Sequence, residues 1–229
     1  MKINYQKILD QKLEEISRSI LGLSADLSSG LEPEPNRTAL TAAPKLMLHS
    51  CCGPCSSYVL EYLSRFFSIT VFYYNPNIYP EAEFEKRAET QSELISKMEE
   101  AGRFPNHVDL AVPQYGHKEF LEAAKGLYGE PEGGARCEKC FLLRLEETAK
   151  AAKQGNFDYF TTTLSVSPHK NAELLNRLGG EVGERYGISY LYADFKKREG
   201  YKRSIELSRE FDLYRQDYCG CEFSLRADK

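Results

Sequence analysis

The chain has 229 residues, of which 41% are hydrophobic and 28% charged, and its formal net charge at pH 7 is −4. This composition excludes global disorder, and the acidic balance excludes a generally basic nucleic-acid binder, although not a local basic patch. No run of about 18 apolar residues is present, which argues against a membrane span. The first residues lack the continuous apolar stretch of a secretory signal, so we expect a cytoplasmic location.

Apolar side chains recur at helical spacing in residues 3–20 and predict an N-terminal helix. Residues 22–44 are rich in Ser, Gly, Pro and Thr and predict a linker. We therefore divide the chain into an N-terminal helix and linker at 1–44 and an α/β domain at 45–229 that carries the chemistry.

Short apolar runs alternate with helical patterns from residue 45 onward. Strands are predicted at 45–49, 68–74, 107–112, 157–164 and 188–195. Helices are predicted at 52–66, 80–101, 117–127, 137–153, 168–186 and 201–213. This alternation predicts a three-layer α/β sandwich with a mainly parallel, Rossmann-like sheet. Ligands of such sheets bind beyond the carboxyl ends of the strands, which would bring together residues 51–55, 75–79, 165–170 and 194–198.

Seven cysteines fall in three tight groups, which are Cys51, Cys52 and Cys55, then Cys137 and Cys140, then Cys219 and Cys221. Their odd number argues against a disulfide framework, and their clustering argues against separate core thiols. Clustered cysteines are what a shared metal centre or a redox pair requires.

The first two groups together could hold a metal cluster. Cys51 and Cys52 lie at a predicted strand-to-helix turn, where free amides and the helix dipole favour thiolates. With Cys137 and Cys140 they supply four thiolates, the number that a 4Fe-4S cluster requires. The alternatives are a four-cysteine zinc site, which the spacing fits less well, and a buried thiol pair. Cys55 could bind another iron or be a core thiol.

The third group flanks a single glycine. A disulfide between Cys219 and Cys221 would close a very short loop and should be strained, which suits a labile redox pair. The alternatives are a metal ligand in the tail of the chain and inert thiols.

Five basic residues follow the last predicted strand, namely Lys196, Lys197, Arg198, Lys202 and Arg203. A basic turn at this edge would contact phosphate, and Tyr201 could stack on a base, although a solvated helix start is the alternative. Upstream, Asn75 and Asn77 could read a polar substrate, but a turn is the simpler interpretation. Glu83 and Arg87 are expected to form a surface salt bridge.

Six ordered segments of this chain resemble the epoxyqueuosine reductase family of the QueH type. They are residues 49–56, 74–80, 136–145, 161–170, 193–204 and 214–224. The resemblance implies a cobalamin-independent oxidoreductase that reduces epoxyqueuosine in tRNA to queuosine, the last step of this wobble-base modification. Its partners would be tRNA carrying epoxyqueuosine at the wobble position and a separate electron donor.

The resemblance also implies roles for individual residues. The ligands of a 4Fe-4S cluster would be Cys51, Cys52, Cys137 and Cys140, and the redox-active pair would be Cys219 and Cys221. An additional iron is expected, with Cys55 or Asp194 as a candidate ligand, and would act as a Lewis acid on the epoxide oxygen. Asp194 or a tyrosine would protonate that oxygen. The wobble base, in a single-stranded loop, can be splayed into a pocket.

Three other functions are compatible with parts of this pattern. A nucleotide-using tRNA thiolation enzyme would need a phosphate-binding loop after the first strand, where residues 50–57 offer thiols instead. A zinc-stabilised RNA-binding protein without catalysis should be colourless and contain zinc. A thiol–disulfide oxidoreductase would not need Cys51 and Cys52.

Overall fold

A computed structural model describes residues 3–20 and 42–225 of the chain. Its strands are β1 (Lys45–His49), β2 (Ser68–Phe72), β3 (Val108–Ala111), β4 (Tyr159–Thr162) and β5 (Ser189–Tyr190). The helices of this described part are α1 (Tyr5–Ile20), α2 (Gly53–Leu63), α3 (Glu81–Glu100), α4 (His117–Ala123), α5 (Ala135–Gln154), α6 (Ala172–Tyr186) and α7 (Gly200–Glu210). Single turns of 3-10 helix lie at Thr163–Val166 and Glu222–Ser224.

The five strands form one parallel sheet in the order β3-β2-β1-β4-β5. Alternate residues of β1 point to opposite faces, because successive side chains of a strand alternate. Leu46 and Leu48 enter an apolar cluster that α1, α2 and α3 cover, whereas Met47 enters a second cluster with α5 and α6. The predicted three-layer α/β sandwich is therefore confirmed.

Strand β5 is shorter than the predicted strand at 188–195, because side chains take over its backbone hydrogen bonds. Thr161 Oγ1 donates to the Leu191 carbonyl across 2.8 Å. Asn176 bonds both the carbonyl and the amide of Ala193, each across 2.9 Å. Side chains thus satisfy backbone groups of Leu191 and Ala193 where the chain leaves the sheet.

Helix α1 confirms the helical prediction for the N-terminal residues. Its buried side chains Leu9, Leu13 and Ile16 join the apolar cluster that contains Leu46 and Leu48. The linker predicted at 22–44 lies largely outside the described residues, so the division of the chain at residue 44 stays a prediction. Within the part of the chain that the structure describes, no helix combines the length and apolarity that crossing a membrane requires.

Candidate functional site

Three cysteine sulfurs cluster at the turn between β1 and α2. The Sγ atoms of Cys51, Cys52 and Cys55 all lie within 4.8 Å of one another, a spacing that could hold a metal ion. Hydrogen bonds from Cys52 and Cys55 lower the pKa of Cys51 well below its ordinary value. The hydrogen bond to Cys51 raises the pKa of Cys52 to about 12, with burial adding to this effect. The group therefore favours one thiolate, at Cys51, beside two thiols.

Cys137 and Cys140 lie in the first two turns of α5, as the sequence indicates. Both are buried, and burial raises the pKa of Cys140 to about 11. The Gly133 amide donates to Cys137 Sγ across 3.2 Å. Cys137 belongs to the apolar cluster beneath α5 and α6, and Cys51 packs against this same cluster. The fold thus brings the first two cysteine groups to one region.

Arg144, one helical turn after Cys140, links the cysteine groups electrostatically. It is 2% exposed, and its Nη1 lies 3.8 Å from Cys140 Sγ. Burial opposes the guanidinium charge, but the sulfurs of Cys140, Cys51 and Cys219 raise the pKa of Arg144 above its ordinary value. One buried cation therefore interacts electrostatically with a member of each cysteine group. Its spacing of four residues from Cys140 is a sequence signal that pattern reasoning missed.

His49 supports Arg144 from the carboxyl end of β1. Arg144 Nε lies 3.1 Å from His49 Nε2, and His49 Nδ1 lies 2.8 Å from Thr162 Oγ1. Burial, reinforced by the charge of Arg144, lowers the pKa of His49 to about 3. A neutral imidazole accepts from Arg144 at Nε2 and donates from Nδ1 to Thr162. These contacts give His49 a structural role, because they fix the position of the Arg144 guanidinium.

A cavity of about 480 Å³ opens at the carboxyl edge of the sheet. Its lining includes Cys51, Cys55, Arg144, His169, Lys170 and Cys219. The three half-buried cysteines of the chain all lie in this wall, whereas the other four are buried. All seven cysteines are unpaired in the structure. The cavity is therefore where sulfur chemistry can meet a ligand from outside.

A buried ion pair holds the segment that carries the third cysteine group. Arg87 is 1% exposed and donates from Nε to Glu83 Oε1 across 2.6 Å. Its Nη1 donates to the Cys219 carbonyl across 3.3 Å and its Nη2 to the Tyr218 carbonyl across 3.5 Å. The salt bridge expected between Glu83 and Arg87 is confirmed, but its expected surface position is wrong, because the C-terminal segment covers Arg87.

Gly220 is the residue that lets the chain turn between the two cysteines. Its φ of +128° lies in a region that side-chain-bearing residues rarely adopt. A Cβ at this position would lie 3.1 Å from Ile78 Cγ1 and 3.2 Å from Arg87 Nη1. The glycine is thus required both for the backbone conformation and for close packing.

Asn75 and Asn77, expected to lie in a turn, are both buried. Asn75 Nδ2 donates to the Ser50 carbonyl across 2.8 Å, and Arg144 Nη2 donates to Asn75 Oδ1 across 2.7 Å. Asn75 therefore joins the polypeptide around the first cysteine group to Arg144.

The residues predicted to bind nucleic acid are largely engaged in ion pairs. The pairs are Lys196 with Asp194, Arg198 with Asp10, Lys202 with Glu199 and Arg203 with Glu61. Lys197 is exposed and forms no ion pair among the described residues. Asp194 faces Lys196, with Oδ1 and Nζ 3.1 Å apart, and is not among the residues that line the cavity. Phosphate binding by this stretch, and the roles considered for Asp194, stay predictions.

Comparison with known proteins gives one consistent result. The family model described as "Epoxyqueuosine reductase QueH" matches residues 46–227. A protein of that name from Staphylococcus epidermidis is 44% identical over 184 residues, covering 79% of this chain and 76% of that protein. One from Streptococcus pyogenes is 43% identical over 183 residues, covering 80% and 71%. One from Staphylococcus aureus is 37% identical over 226 residues, covering 97% and 84%.

Proposed function

The chain belongs to the epoxyqueuosine reductase QueH family, and we propose that it reduces epoxyqueuosine to queuosine in tRNA as the last step of queuosine biosynthesis. We further propose that this oxidoreductase acts in the cytoplasm without cobalamin, using a 4Fe-4S cluster and a redox-active cysteine pair. Its substrate would be tRNA with the modified base at the wobble position, and a separate electron donor would complete the cycle.

The observation that supports this proposal is that cysteines of the first and third groups line one cavity, while one buried cation, Arg144, interacts electrostatically with a cysteine of each group. Cys51, Cys55 and Cys219 line the cavity, and Arg144 interacts with Cys51, Cys140 and Cys219. A purely structural zinc site would not need a cavity of about 480 Å³ beside its sulfurs. The arrangement is the one expected where sulfur-bound redox chemistry acts on an outside ligand.

The thiols fit the donor set of an iron–sulfur cluster. The proposed ligands lie close to two helix N-termini: Cys51 and Cys52 directly precede α2, and Cys137 and Cys140 lie in the first two turns of α5. Binding of a cluster would deprotonate the buried thiols, since metal ligation requires the thiolate. A 4Fe-4S cluster would supply one-electron transfer, and an additional iron would supply a Lewis acid. Cys55, within 4.8 Å of both neighbouring sulfurs, is the candidate thiol for that additional iron.

The Cys219 and Cys221 pair would complete the electron balance of the reaction, and Arg144 would stabilise charge on the sulfurs. Opening an epoxide to an alkene consumes two electrons and two protons and releases the oxygen as water. Oxidation of the Cys219 and Cys221 dithiol to a disulfide releases two electrons and two protons, which matches this demand. Arg144 would hold negative charge on the surrounding sulfurs, because its guanidinium is buried and permanently protonated.

Anaerobic turnover of tRNA that carries epoxyqueuosine, followed by mass analysis of its nucleosides, tests the proposal. The expected product is queuosine, lighter than the substrate by one oxygen atom. Replacement of Cys219 and Cys221 by Ser should abolish multiple turnover with a dithiol reductant. Full activity of that double variant would remove the pair from the required chemistry, and absence of product with wild-type protein would refute the activity.

A second candidate is a zinc-stabilised RNA-binding protein without catalysis. Its support is that three thiols, Cys51, Cys52 and Cys55, are close enough for a single metal ion. Because this candidate needs no cofactor beyond that ion, it predicts a colourless protein without sulfide. The metal content of the purified protein separates the two functions.

A further inference from the structure

Lys170 contacts a sulfur of the proposed redox pair directly. Its Nζ lies 3.0 Å from Cys219 Sγ and 3.3 Å from Glu132 Oε1. Lys170 and Cys219 lie in the wall of the same cavity. The contact joins residues 49 positions apart, so the fold rather than local sequence creates it.

The contact with Cys219 helps to keep the buried side chain of Lys170 positively charged. The side chain of Lys170 is 10% exposed, whereas that of its carboxylate partner Glu132 is 52% exposed. A buried cation is costly unless a nearby group compensates its charge. Burial lowers the pKa of Lys170, but the Cys219 sulfur, and after it Glu132, raise it above the ordinary value. The lysine therefore stays protonated and donates to sulfur.

Neighbouring side chains hold the backbone of Lys170 and the backbone of Cys219 in place. Lys196 Nζ lies 3.3 Å from the Lys170 carbonyl. The following residue, Asn171, caps α6 by accepting from two backbone amides. On the opposite side Arg87 holds the Cys219 carbonyl. Because both backbones are anchored, the distance between Nζ and Sγ does not depend on a mobile loop.

The two cysteines of the pair occupy different surroundings. Cys219 is half-buried and lines the cavity. Cys221 is 7% exposed and packs with Phe120 and Ala124, and its Sγ lies 3.6 Å from Ser224 Oγ. Only Cys219 of the two therefore combines access from the cavity with a cation in the described structure.

We propose that Lys170 is a positioning residue whose ammonium, 3.0 Å from Cys219 Sγ, holds that sulfur at the cavity wall and stabilises negative charge on it during thiol exchange, and so makes Cys219 the sulfur that exchanges with an external dithiol. This inference rests on the proposed function, in which Cys219 and Cys221 cycle between dithiol and disulfide. In the recharging step a thiolate of the dithiol attacks Cys219, the S–S bond breaks and Cys221 leaves as a thiolate that takes up a proton. The second thiol of the reductant, losing its proton, attacks the mixed disulfide and releases Cys219 to Lys170. Two electrons pass to the protein, and the reductant becomes a disulfide.

The rate at which Cys219 reacts with an alkylating reagent tests the inference independently of enzyme turnover. Reduced, anaerobically purified full-length protein is treated with iodoacetamide, and alkylation of the peptide with Cys219 and Cys221 is followed by mass analysis. Lys170→Met should slow alkylation of Cys219 roughly tenfold, because an ammonium beside sulfur favours the reactive thiolate. Lys170→Arg should retain most of the rate. Lys125→Met, which removes an exposed lysine paired with Glu122, is the control and should change nothing.

A second readout is the rate at which dithiothreitol reduces the Cys219–Cys221 disulfide, which should fall in Lys170→Met and recover in Lys170→Arg. Equal alkylation of Cys219 in wild type and Lys170→Met, or faster alkylation of Cys221 than of Cys219, would overturn the inference.

If Lys170→Met does not fold, the alkylation rate of Cys219 is measured in Glu132→Gln instead, since this variant removes the other partner of Lys170. The inference predicts an unchanged or higher alkylation rate there, and a tenfold loss contradicts it. Failure of the wild-type protein to convert epoxyqueuosine would leave these rates intact and would refute the proposed function alone.

Discussion

Arg144 donates a hydrogen bond from Nη2 to Asn75 Oδ1 across 2.7 Å, joining helix α5 to the turn that follows β2. The same guanidinium reaches Cys140 Sγ and His49 Nε2 with its other nitrogens. All three nitrogens of this buried side chain therefore have partners. The start of α5, with its two cysteines, is fixed relative to the sheet by a charged group and not by apolar packing alone.

Replacement of Arg144 by Met should destabilise the protein and lower its capacity to retain a metal centre. The substitution leaves His49 and Asn75 without a donor in a buried site, so we expect a loss of roughly 3–5 kcal/mol in the free energy of unfolding. Denaturant unfolding measures this loss. Arg144→Lys, which keeps the charge but not the three-way geometry, should lose less; equal stability of Arg144→Met and wild type would contradict the role assigned to Arg144.

Replacement of Gly220 by Ala should impair the cysteine pair specifically. A Cβ there would approach Ile78 and Arg87 at 3.1 and 3.2 Å, and the φ of +128° disfavours any side chain. We expect a cost of about 1–3 kcal/mol and slower disulfide formation between Cys219 and Cys221. Counting free thiols after mild oxidation measures the second effect.

Gly102→Ala is the matched control for this substitution. Gly102 also has a positive φ, +65°, but a Cβ there would meet nothing within 4 Å. It should lose some stability, while its cysteine pair oxidises at the wild-type rate. Identical oxidation rates in the two variants would show that Gly220 does not govern the pair.

Charge reversal in the basic stretch should affect tRNA binding unequally. Lys197 is exposed without an ion pair in the described structure, whereas Arg203 is engaged by Glu61 through two hydrogen bonds of 2.9 and 2.7 Å. Lys197→Glu should weaken binding and reduce the slope of log affinity against log salt by about 0.7–0.9, the effect of one phosphate contact. Binding titrations at several salt concentrations measure this slope.

Lys45→Glu provides the control for that experiment, because Lys45 is exposed at the amino end of β1, opposite the edge that carries the cavity. Its tRNA affinity should remain near the wild-type value. An unchanged affinity of Lys197→Glu would remove this lysine from the interface.

The periodicity of the sequence was sufficient to predict the sheet and to place segments 51–55 and 165–170 at the edge where the cavity opens, whereas segments 75–79 and 194–198 do not line that cavity. Strand β1 begins and ends at the predicted residues. Its apolar run is too short for a helix, and Pro44 and the polar residues after it mark both of its ends. Strand β5 could not be delimited, since its end depends on Thr161 and Asn176, whose side chains reach it only in the folded protein. Local pattern specifies elements, whereas their last residues depend on tertiary hydrogen bonds.

The site shows the same division between local and long-range information. The grouping of the cysteines was visible in the sequence, because the members of each group lie within five residues of one another. Two features of the site depend on contacts between residues that are distant in sequence, and no local pattern predicts them. They are the contact between Lys170 and Cys219 and the burial of Arg87 under the C-terminal segment. Glu83 and Arg87 have the spacing of a surface pair and became a buried one only because residues 218–220 pack over them.

The most direct test of the account is the iron, sulfide and zinc content of anaerobically purified wild-type protein and its Cys140→Ser variant. If the first two cysteine groups share one iron–sulfur centre, the wild-type protein will be brown and contain iron and acid-labile sulfide. Cys140→Ser will then lose most of both while remaining folded. A colourless wild-type protein with stoichiometric zinc and no sulfide would contradict the account.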